Sequence, residues 1–370
     1  MINIATVFSG IGAPEEAFRQ LDIDFNIVFA CDNGERELDK TYDEIMEKTR
    51  EMTSNERIEY VNKLYENTNK PNYVKKSYFA NHDISEDRWY EDVRFIDGEK
   101  YRDVVDILIG GSPCQSFSTY GKKQGLEDTR GTLFFHYAKL IQDIQPKVFI
   151  YENVVGLKTH DSGRTWEKIN EVFEELEYNT FPMILNSKDY GLPQNRKRIF
   201  VVGFRHDLNI DEFSEPEHIE LTTTAKDYLS QKVDLKYYLG EKGFEWVTTP
   251  AKHQSRTRAN RDIIGCQTAN QQFNWIGDLR LEIPTEEMRN NENIYVGEYE
   301  GQELVARKMT PAECLRLMGF ENFNIVVDDK NAYRQSGNSI AVPVMKALIG
   351  KICDIKSKRR IIDERIFIQR

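Results

Sequence analysis

Residues 2–15 read INIATVFSGIGAPE, an apolar and β-branched run followed by a turn that holds two glycines and a proline. The run predicts a β-strand over residues 2–8, and Pro14 suits the first turn of a helix over residues 14–21. Glycines between a strand and a helix allow the backbone to approach a nucleotide-like ligand closely. Because the third glycine of a dinucleotide fingerprint is missing, this turn on its own is better explained as an ordinary tight turn.

The alternation of apolar runs with amphipathic stretches continues to about residue 205. Further strands are predicted at residues 26–31, 104–109, 148–151 and 199–204, and further helices at residues 132–145, 163–176, 310–317 and 341–355. This alternation is typical of an α/β domain with a mostly parallel, doubly wound sheet. The second strand is followed by Asp32, at the place where such folds hydrogen-bond a ribose hydroxyl, although an acid there is common.

Composition divides the chain into two domains. Residues 1–205 and 333–370 are predicted to form the large domain, with residues 306–332 as a hinge region. Residues 206–305 mix aromatic residues, threonines and short strands, which predicts a second, smaller and irregular domain. Residues 35–76 are polar and helix-prone, and we interpret them as a helical insertion at the surface.

The bulk composition argues against several classes of protein. Of the 370 residues 39% are hydrophobic and 30% charged, and no apolar run reaches the ~20 residues that a membrane span needs. The first residues read as a strand and not as a signal peptide, so we expect a cytoplasmic protein. The five cysteines are scattered and never spaced as CxxC, which predicts neither a disulfide framework nor a zinc site.

The charge is unevenly distributed along the chain. A net charge of −11 disfavours a nucleic-acid partner unless positive charge is segregated. Residues 35–60 carry nine acids and five bases. Residues 249–261 carry no acid and four bases, which are Lys252, Arg256, Arg258 and Arg261. The sequence therefore allows a local basic face on an acidic protein.

One cysteine follows the predicted strand at residues 104–109, within GGSPCQSFS at residues 110–118. An isolated cysteine is most often a small buried hydrophobic residue. Here Pro113 restricts the backbone beside the thiol, two glycines clear space before it, and a polar loop suited to a mobile lid extends to Arg130. Because ligands bind at the carboxyl ends of strands in open α/β sheets, Cys114 is a candidate nucleophile.

Glu152 follows the predicted strand at residues 148–151, and we expect it at the same edge of the sheet as Cys114. Addition of a thiolate to C6 of a pyrimidine requires hydrogen bonding or protonation at N3, which a carboxyl group supplies. Without Cys114, the simpler interpretation of Glu152 is a helix cap or a solvated acid.

Three polar residues alternate in the extended segment before the strand at residues 199–204: Gln194, Arg196 and Arg198. Alternation predicts that they project from one side of that segment. Arginines there suit three tasks, which are orienting Glu152, binding phosphate and stabilising a thiolate. A solvated basic run is the alternative.

Together these motifs resemble the DNA cytosine-C5 methyltransferase family, and they occur in that family's order. The matching segments are residues 8–15, Asp32, Asp83-Ile84, Pro113-Cys114-Gln115, residues 131–135, Glu152-Asn153-Val154, residues 194–198, residues 307–320 and Gly337-Asn338-Ser339. They leave out little besides residues 35–76 and 206–305. One departure is Asn81-His82 before Asp83, where the family often has glycine.

The resemblance implies the S-adenosylmethionine-dependent methyltransferase fold, with S-adenosylmethionine as cofactor, S-adenosylhomocysteine as product and no metal. It implies Cys114 as nucleophile, Glu152 as its partner at N3, and Arg196 and Arg198 as active-site support. The cofactor site that it implies consists of Phe8, Gly10, Gly12, Asp32, Asn33, Asp83, Ile84, Leu133 and Asn338.

The implied substrate is a cytosine flipped out of double-stranded DNA, in a specific sequence. Residues 206–305 occupy the place of the family's target-recognition domain. The side chains expected to contact DNA are Ser118, Tyr120, Gln194, Lys252, Arg256, Arg258 and Arg261. We further expect a monomer in a bacterial cytoplasm, with a cognate restriction endonuclease that acts separately.

Three alternatives fit the sequence less well. A transfer-RNA cytosine methyltransferase of the same fold disagrees with the long 206–305 segment, which also lacks the Cys-Phe-Thr tripeptide of that branch. An inactive binding module of the same ancestry disagrees with an intact Cys114, Glu152 and glycine turn. An NAD-dependent enzyme disagrees with the missing third glycine.

Overall fold

The computed structural model describes residues 1–112, 132–249 and 257–359, without the side chains of residues 257 and 356–359. Its contacts divide the chain into two compact units. The first comprises Met1–Leu185, Lys197–Glu217 and the described residues from Met345 on. The second comprises Asn186–Arg196 and His218–Val344.

The first unit is built on one large sheet. Its strands are β1 (Ile2–Val7), β2 (Phe25–Cys31), β3 (Trp89–Tyr90), β4 (Ile107–Gly110), β5 (Val148–Val154), β6 (Tyr178–Asn186) and β7 (Lys197–Arg205). Their order across the seven-stranded sheet is β3-β2-β1-β4-β5-β7-β6. β1 pairs in parallel with β2 and β4, β2 with β3, and β4 with β5, whereas β7 runs antiparallel to β5. The predicted α/β class with a mostly parallel sheet is confirmed.

Helices between the strands cover this sheet with apolar side chains. They are α1 (Ala13–Gln20), α2 (Tyr42–Lys48), α3 (Ser54–Glu66), α4 (Tyr73–Phe79), α5 (Leu133–Ile144) and α6 (Arg164–Glu175). Phe134 of α5 and Phe173 of α6 are fully buried with Phe149 of β5. The Phe149 and Phe173 rings lie 4.7 Å apart between centroids. Burial of each such ring stabilises the fold by about 1.5–3 kcal/mol.

The polar stretch between β2 and β3 contains α2, α3 and α4. α2 and α3 each begin with a capping box, in which the threonine and the glutamate at the start of the helix satisfy each other's backbone N–H groups. Ile45, Val61, Tyr65 and Phe95 form a small buried cluster beneath these helices. The stretch therefore has an apolar interior of its own.

One strand of the sheet begins later than its apolar run. The run at residues 104–109 predicts a strand from Val104, whereas β4 begins at Ile107. Asp103 adopts a left-handed φ of 60°. The Val104 backbone N–H donates to the Tyr101 carbonyl oxygen at 3.0 Å, so the chain is still turning there.

The second unit contains a smaller sheet. Its strands β8 (Thr257–Ala259), β9 (Gly277–Glu282), β10 (Val296–Tyr299) and β11 (Gln302–Arg307) lie in the order β10-β11-β9-β8. The α-helices of this unit are α7 (Glu241–Thr248), α8 (Glu286–Arg289), α9 (Pro311–Arg316) and α10 (Asp329–Asn338). The last helix of the described chain, α11 (Val342–Arg359), belongs to the first unit from Met345 on. No helix within the described ranges is long and apolar enough to cross a membrane.

An arginine at the end of β11 joins the small sheet to α9. Arg307 is 1% exposed and places Nε 2.7 Å from a Glu282 carboxylate oxygen and Nη1 2.9 Å from one of Glu313. Glu313 also accepts the Thr310 backbone N–H, which completes the capping box of α9. The predicted helix start at Thr310 is therefore part of a buried ion-pair network.

Candidate active site

The carboxyl ends of β4 and β5 meet at one edge of the first sheet. Gly110, the last residue of β4, pairs with Tyr151, so Gly111 leaves the sheet beside Glu152, which still belongs to β5. A Cβ atom on Gly111 would lie 2.9 Å from Glu152 Oε2 and 2.7 Å from the Glu152 carbonyl oxygen. Glycine is required here because a side chain would collide with the carboxylate and the backbone.

Asn153 fixes the chain that leads toward Cys114. Its Nδ2 donates to the Ser112 carbonyl oxygen and to the Tyr151 hydroxyl, each at 2.9 Å. The Ser112 and Tyr151 hydroxyls lie 2.9 Å apart. Because these groups are buried, the bonds hold the last described residue before Pro113 in one position.

Glu152 has a basic partner on the antiparallel neighbour strand. Arg198 Nε lies 3.2 Å from Glu152 Oε1, and the two side chains are 17% and 15% exposed. Phe200 of β7 pairs with Glu152, and Arg198 pairs with Val154 one pleat further along. A partly buried guanidinium beside a carboxylate keeps the acid oriented while leaving it accessible from the sheet edge.

The turn after β1 is a second candidate site on the first sheet, at the carboxyl end of that strand. Phe8, Gly10 and Gly12 have left-handed φ angles of 54°, 54° and 83°. A Cβ atom on Gly10 would have no neighbour within 4 Å among the described residues, which leave open space beside this glycine. The Gly10 backbone N–H donates to Asp32 Oδ2 at 2.9 Å, and the Gly34 N–H donates to Oδ1 at 2.8 Å. Burial raises the pKa of the Asp32 carboxyl, and the two N–H donors oppose that shift.

This corner fits a nucleoside ligand. A carboxylate stands at the end of β2 and a glycine with open space stands at the end of β1, which is the arrangement that binds ribose and adenine groups in open α/β sheets. Asn33 uses its side chain within the same turn, where Nδ2 donates to the Arg36 carbonyl oxygen and Oδ1 accepts the Glu35 N–H.

The other predicted cofactor residues have varied surroundings. Asp83 is exposed and Ile84 is half-buried after α4. Leu133 begins α5 and packs on the main core of the first unit. Asn338 is exposed at the end of α10, in the second unit. Their contacts with a cofactor stay predictions.

Gln194 and Arg196 are buried within the second unit. The Gln194 side chain donates to the Leu317 carbonyl oxygen at 2.6 Å and accepts the Gln267 N–H at 3.0 Å. Arg196 donates to the carbonyl oxygens of Gln267, Gly337 and Ser339 at 2.8, 3.1 and 2.6 Å. These contacts stabilise the unit, and the predicted roles of Gln194 at DNA and of Arg196 in catalysis stay untested.

The basic stretch is described only in part. Arg258 is exposed on β8. Arg261 forms a two-pronged ion pair with Asp278 of β9, with N–O distances of 2.6 and 2.7 Å. Five further predicted residues lie outside the described ranges: Cys114, Ser118, Tyr120, Lys252 and Arg256. Within the described ranges no group of three or more His, Cys, Asp or Glu side chains is arranged to hold a metal ion.

Sequence reasoning assigned no role to Ser112 or Asn153, although both anchor the segment before Cys114. Asn153 adjoins Glu152 in the Glu152-Asn153-Val154 motif, and this position in the sequence could have indicated its role. The bond between Asn153 and Ser112 could not be predicted from the sequence, because the two residues are 41 positions apart.

Comparison with known proteins agrees with this architecture. Type II methyltransferase M1.ScrFI of Lactococcus lactis subsp. cremoris is 38% identical over 294 residues, which span 78% of this chain and 71% of that protein. Type II methyltransferase M.HpaII of Haemophilus parainfluenzae is 40% identical over 269 residues, which span 67% and 72%.

Two solved structures share the fold at low sequence identity. The Entamoeba histolytica methyltransferase EhMeth has a TM-score of 0.64 at 17% identity, covering 96% of this chain and 98% of its own. The S. pombe Dnmt2 methyltransferase has a TM-score of 0.63 at 17% identity, covering 96% and 99%. These likenesses support the predicted methyltransferase fold.

A family model described as C-5 cytosine-specific DNA methylase matches residues 2–354. The match extends over the strand-end edge with Glu152, the turn at residues 8–12 and the whole of the second unit's described chain. The chain therefore belongs to the C-5 cytosine-specific DNA methylase family and is an enzyme of the DNA (cytosine-5-)-methyltransferase class.

Proposed function

We propose that this enzyme methylates C5 of a cytosine flipped out of a specific duplex sequence, through a covalent adduct between Cys114 and C6 of the base. One observation carries this assignment most directly. The Glu152 carboxylate, 3.2 Å from Arg198, adjoins Gly111, which lies three residues before Cys114 in the chain. A thiol and an acid delivered by adjacent strand ends are what addition to a pyrimidine requires.

The residues of the chain divide the chemistry between them. Extrusion of the cytosine costs a few kcal/mol of unstacking. The Cys114 thiolate then forms a bond to C6, and the electron pair of the C5–C6 double bond shifts toward C5 while Glu152 hydrogen-bonds N3. After C5 has been methylated, a base takes its proton, the electron pair of the C5–H bond re-forms the C5–C6 double bond, and the S–C6 bond breaks with its electron pair on sulfur. The thiolate is thereby regenerated.

S-adenosylmethionine, when bound, supplies the methyl group. The residues proposed to hold it are Phe8, Gly10, Asp32, Asp83 and Leu133, together with Gly12, Asn33, Ile84 and Asn338. The open space beside Gly10 and the carboxylate at the end of β2 support a nucleoside at this corner.

Residues 206–305 are proposed to select the DNA sequence. Arg258 of this segment is exposed, as a residue that contacts DNA must be. Arginine side chains grip guanine in the major groove or bind phosphates. M1.ScrFI and M.HpaII are named Type II methyltransferases. These names support the proposal that a cognate restriction endonuclease acts separately on the same DNA sequence.

The nucleophile is tested by Cys114→Ser, with Cys353→Ser as the matched control. Cys353 is half-buried in α11 and has no proposed chemical role. Cys114→Ser is expected to abolish transfer of a tritiated methyl group while S-adenosylmethionine binding stays within about threefold, because the thiol takes part in covalent chemistry only. Cys353→Ser is expected to keep both properties.

Duplex DNA with 5-fluorocytosine at a mapped target site gives the complementary readout. The wild-type protein is expected to form an adduct that survives denaturing electrophoresis, because fluorine cannot leave C5 as a proton does, and Cys114→Ser is expected to form none. Turnover of Cys114→Ser within about tenfold of wild type would remove Cys114 from the mechanism.

A further inference from the structure

The turn at residues 8–12 adopts a backbone shape that the surrounding structure must hold. Phe8 has a φ of 54°, a left-handed value that residues other than glycine rarely adopt. Such a conformation persists only where neighbouring contacts over-determine it. Bonds of Ser9 with Thr6 and Cys31 hold the start of this turn, and α4 with the chain just after it contacts its end, at Ile11 and Gly12.

His82 fills the place that a side chain on Gly12 would occupy. A Cβ atom on Gly12 would lie 2.0 Å from His82 Nε2. The same Nε2 lies 3.0 Å from the Ile11 carbonyl oxygen and donates to it, since a carbonyl can only accept. The ring is packed against Tyr78 at a centroid distance of 4.7 Å. Gly12 is therefore matched to a histidine, whereas Gly10 faces open space.

Tyr78 binds the helix that follows the turn. Its hydroxyl donates to Glu15 Oε1 at 2.6 Å, and the Thr6 hydroxyl donates to the same oxygen at 2.8 Å. Glu15 is fully buried in the first turn of α1. Its other oxygen, Oε2, has no hydrogen-bond partner in the part of the chain that is described. A buried carboxylate depends strongly on the few donors that it has.

The end of β2 is held in the same way. Asn72, the N-cap of α4, donates from Nδ2 to the Asp32 carbonyl oxygen at 2.8 Å. A Cβ atom on Gly34 would lie 2.3 Å from Asn72 Oδ1. Thus a glycine after β1 and a glycine after β2 each receive a side chain from residues 72–82, at the two strand ends that the cofactor site uses.

The protonation of His82 agrees with its contact. Burial lowers the pKa of His82, the Glu15 carboxylate and the bond to the Ile11 carbonyl oppose that shift, and Arg19 adds to it. The ring is therefore neutral near pH 7, and its one N–H is directed at Ile11.

We propose that His82 and Tyr78 are positioning residues for S-adenosylmethionine, which hold the turn at residues 8–12 in the shape that receives the cofactor. This inference rests on the proposed cofactor site. It gives the helical stretch before β3 a role in cofactor affinity. Because neither side chain is assigned to the reacting atoms, their loss should raise the KM for S-adenosylmethionine more than it lowers kcat.

The test compares four full-length variants by isothermal titration with S-adenosylmethionine and by steady-state kinetics. We expect His82→Ala and Tyr78→Phe to weaken cofactor binding about tenfold, which equals about 1.4 kcal/mol. His82→Gln carries an Nε2 N–H at about the reach of the imidazole Nε2, so it can donate to the Ile11 carbonyl and is expected to recover most of that loss. His136→Ala removes a buried histidine elsewhere in the same unit and is expected to leave cofactor affinity within about twofold after correction for the folded fraction.

A double-mutant cycle separates positioning from general damage. Gly12→Ala is expected to weaken cofactor binding severely in wild type, where the new methyl group meets the imidazole. In the His82→Ala background the added loss should be at least about fivefold smaller, with only the left-handed φ of 83° still opposing alanine. If the losses of cofactor affinity from Gly12→Ala and His82→Ala simply add, the two residues are not coupled and the inference is contradicted.

The outcomes distinguish this inference from the proposed function. A wild-type protein that fails to bind S-adenosylmethionine contradicts the proposed function itself. A wild type that binds, with His82→Ala and Tyr78→Phe binding equally well, overturns only the positioning role. If His82→Ala does not fold, the comparison of His82→Gln with Tyr78→Phe decides, and wild-type affinity in both overturns the inference.

Discussion

Arg196 and Arg198 are two residues apart and have different surroundings. Arg198, on β7 of the first unit, lies 3.2 Å from the Glu152 carboxylate and is 17% exposed. Arg196 is 3% exposed in the second unit and donates to three backbone carbonyl oxygens. One guanidinium orients an acid at a sheet edge, and the other replaces water around buried carbonyl groups. Residue type and spacing do not distinguish these tasks, because the chain passes from one unit to the other between them.

The largest effect is expected from the acid that Arg198 holds. Glu152→Gln keeps the shape of the side chain but removes the charge and the proton-transfer capacity at N3, so methyl transfer should fall by about 10²–10⁴-fold. Thermal stability should change little, since the amide oxygen can still accept from Arg198.

Glu167→Gln supplies the control, because Glu167 is exposed on α6. It should keep wild-type turnover in the tritiated-methyl assay. Glu152→Gln activity within about tenfold of wild type would mean that this carboxyl group does not assist at N3.

The two arginines should respond to the same substitution in opposite ways. Arg196→Met leaves three buried carbonyl oxygens without their donor and should lower the free energy of unfolding by about 3 kcal/mol. Arg198→Met should cost less than about 1 kcal/mol of stability but lower kcat roughly tenfold, since Glu152 loses its orienting partner.

Urea denaturation measures the first property, and kcat corrected for the folded fraction measures the second. A stable Arg196→Met with strongly reduced kcat would assign Arg196 to the chemistry. If Arg198→Met is unstable but keeps a normal kcat, the ion pair between Arg198 and Glu152 contributes to stability and not to catalysis.

The smallest effect is expected in the basic stretch, where a second pair of arginines sharpens the comparison. Arg258 is exposed, whereas Arg261 is held by Asp278. Arg258→Ala should lower the log–log salt slope of DNA binding by about one if it contacts phosphate, or change the preferred sequence if it reads a base.

Arg261→Ala should leave the salt slope nearly unchanged and instead lower stability, because Asp278 is 3% exposed and loses its cation. Fluorescence anisotropy over a salt series checks both variants. An equal decrease in slope for the two would show that the ion pair with Asp278 opens on DNA.

Several elements followed directly from the sequence. β-Branched runs predicted β1, β2, β5 and β7 to within a few residues, and Pro14 predicted the start of α1. The proximity of Gly111 and Glu152 was predictable because adjacent parallel strands must deliver their carboxyl ends to one edge. The threonine at position 310 predicted a helix because capping is a local interaction.

The second sheet was less accessible to sequence reasoning. Its strands are short, and only Leu279, Leu281, Val305 and Ala306 of β9 and β11 are buried apolar residues. Short strands give little alternation to detect, and although β10 and β11 form a hairpin, β9 pairs with β11 across more than 20 residues of chain. The sequence therefore predicted strands in this region without a sheet.

The sequence by itself determined five of the seven strands of the large sheet, the strand ends that carry the polar residues, and the family to which their motifs belong. Those properties are local or topological, so a linear pattern is sufficient to encode them. Only the tertiary structure decided which glycine faces open space and which receives an imidazole, because the His82–Ile11 bond joins residues 71 positions apart. It also decided that Arg196 reaches Gly337, 141 positions away, while Arg198 stays beside Glu152. Side chains of one type differ in function when packing gives each a different set of partners to satisfy.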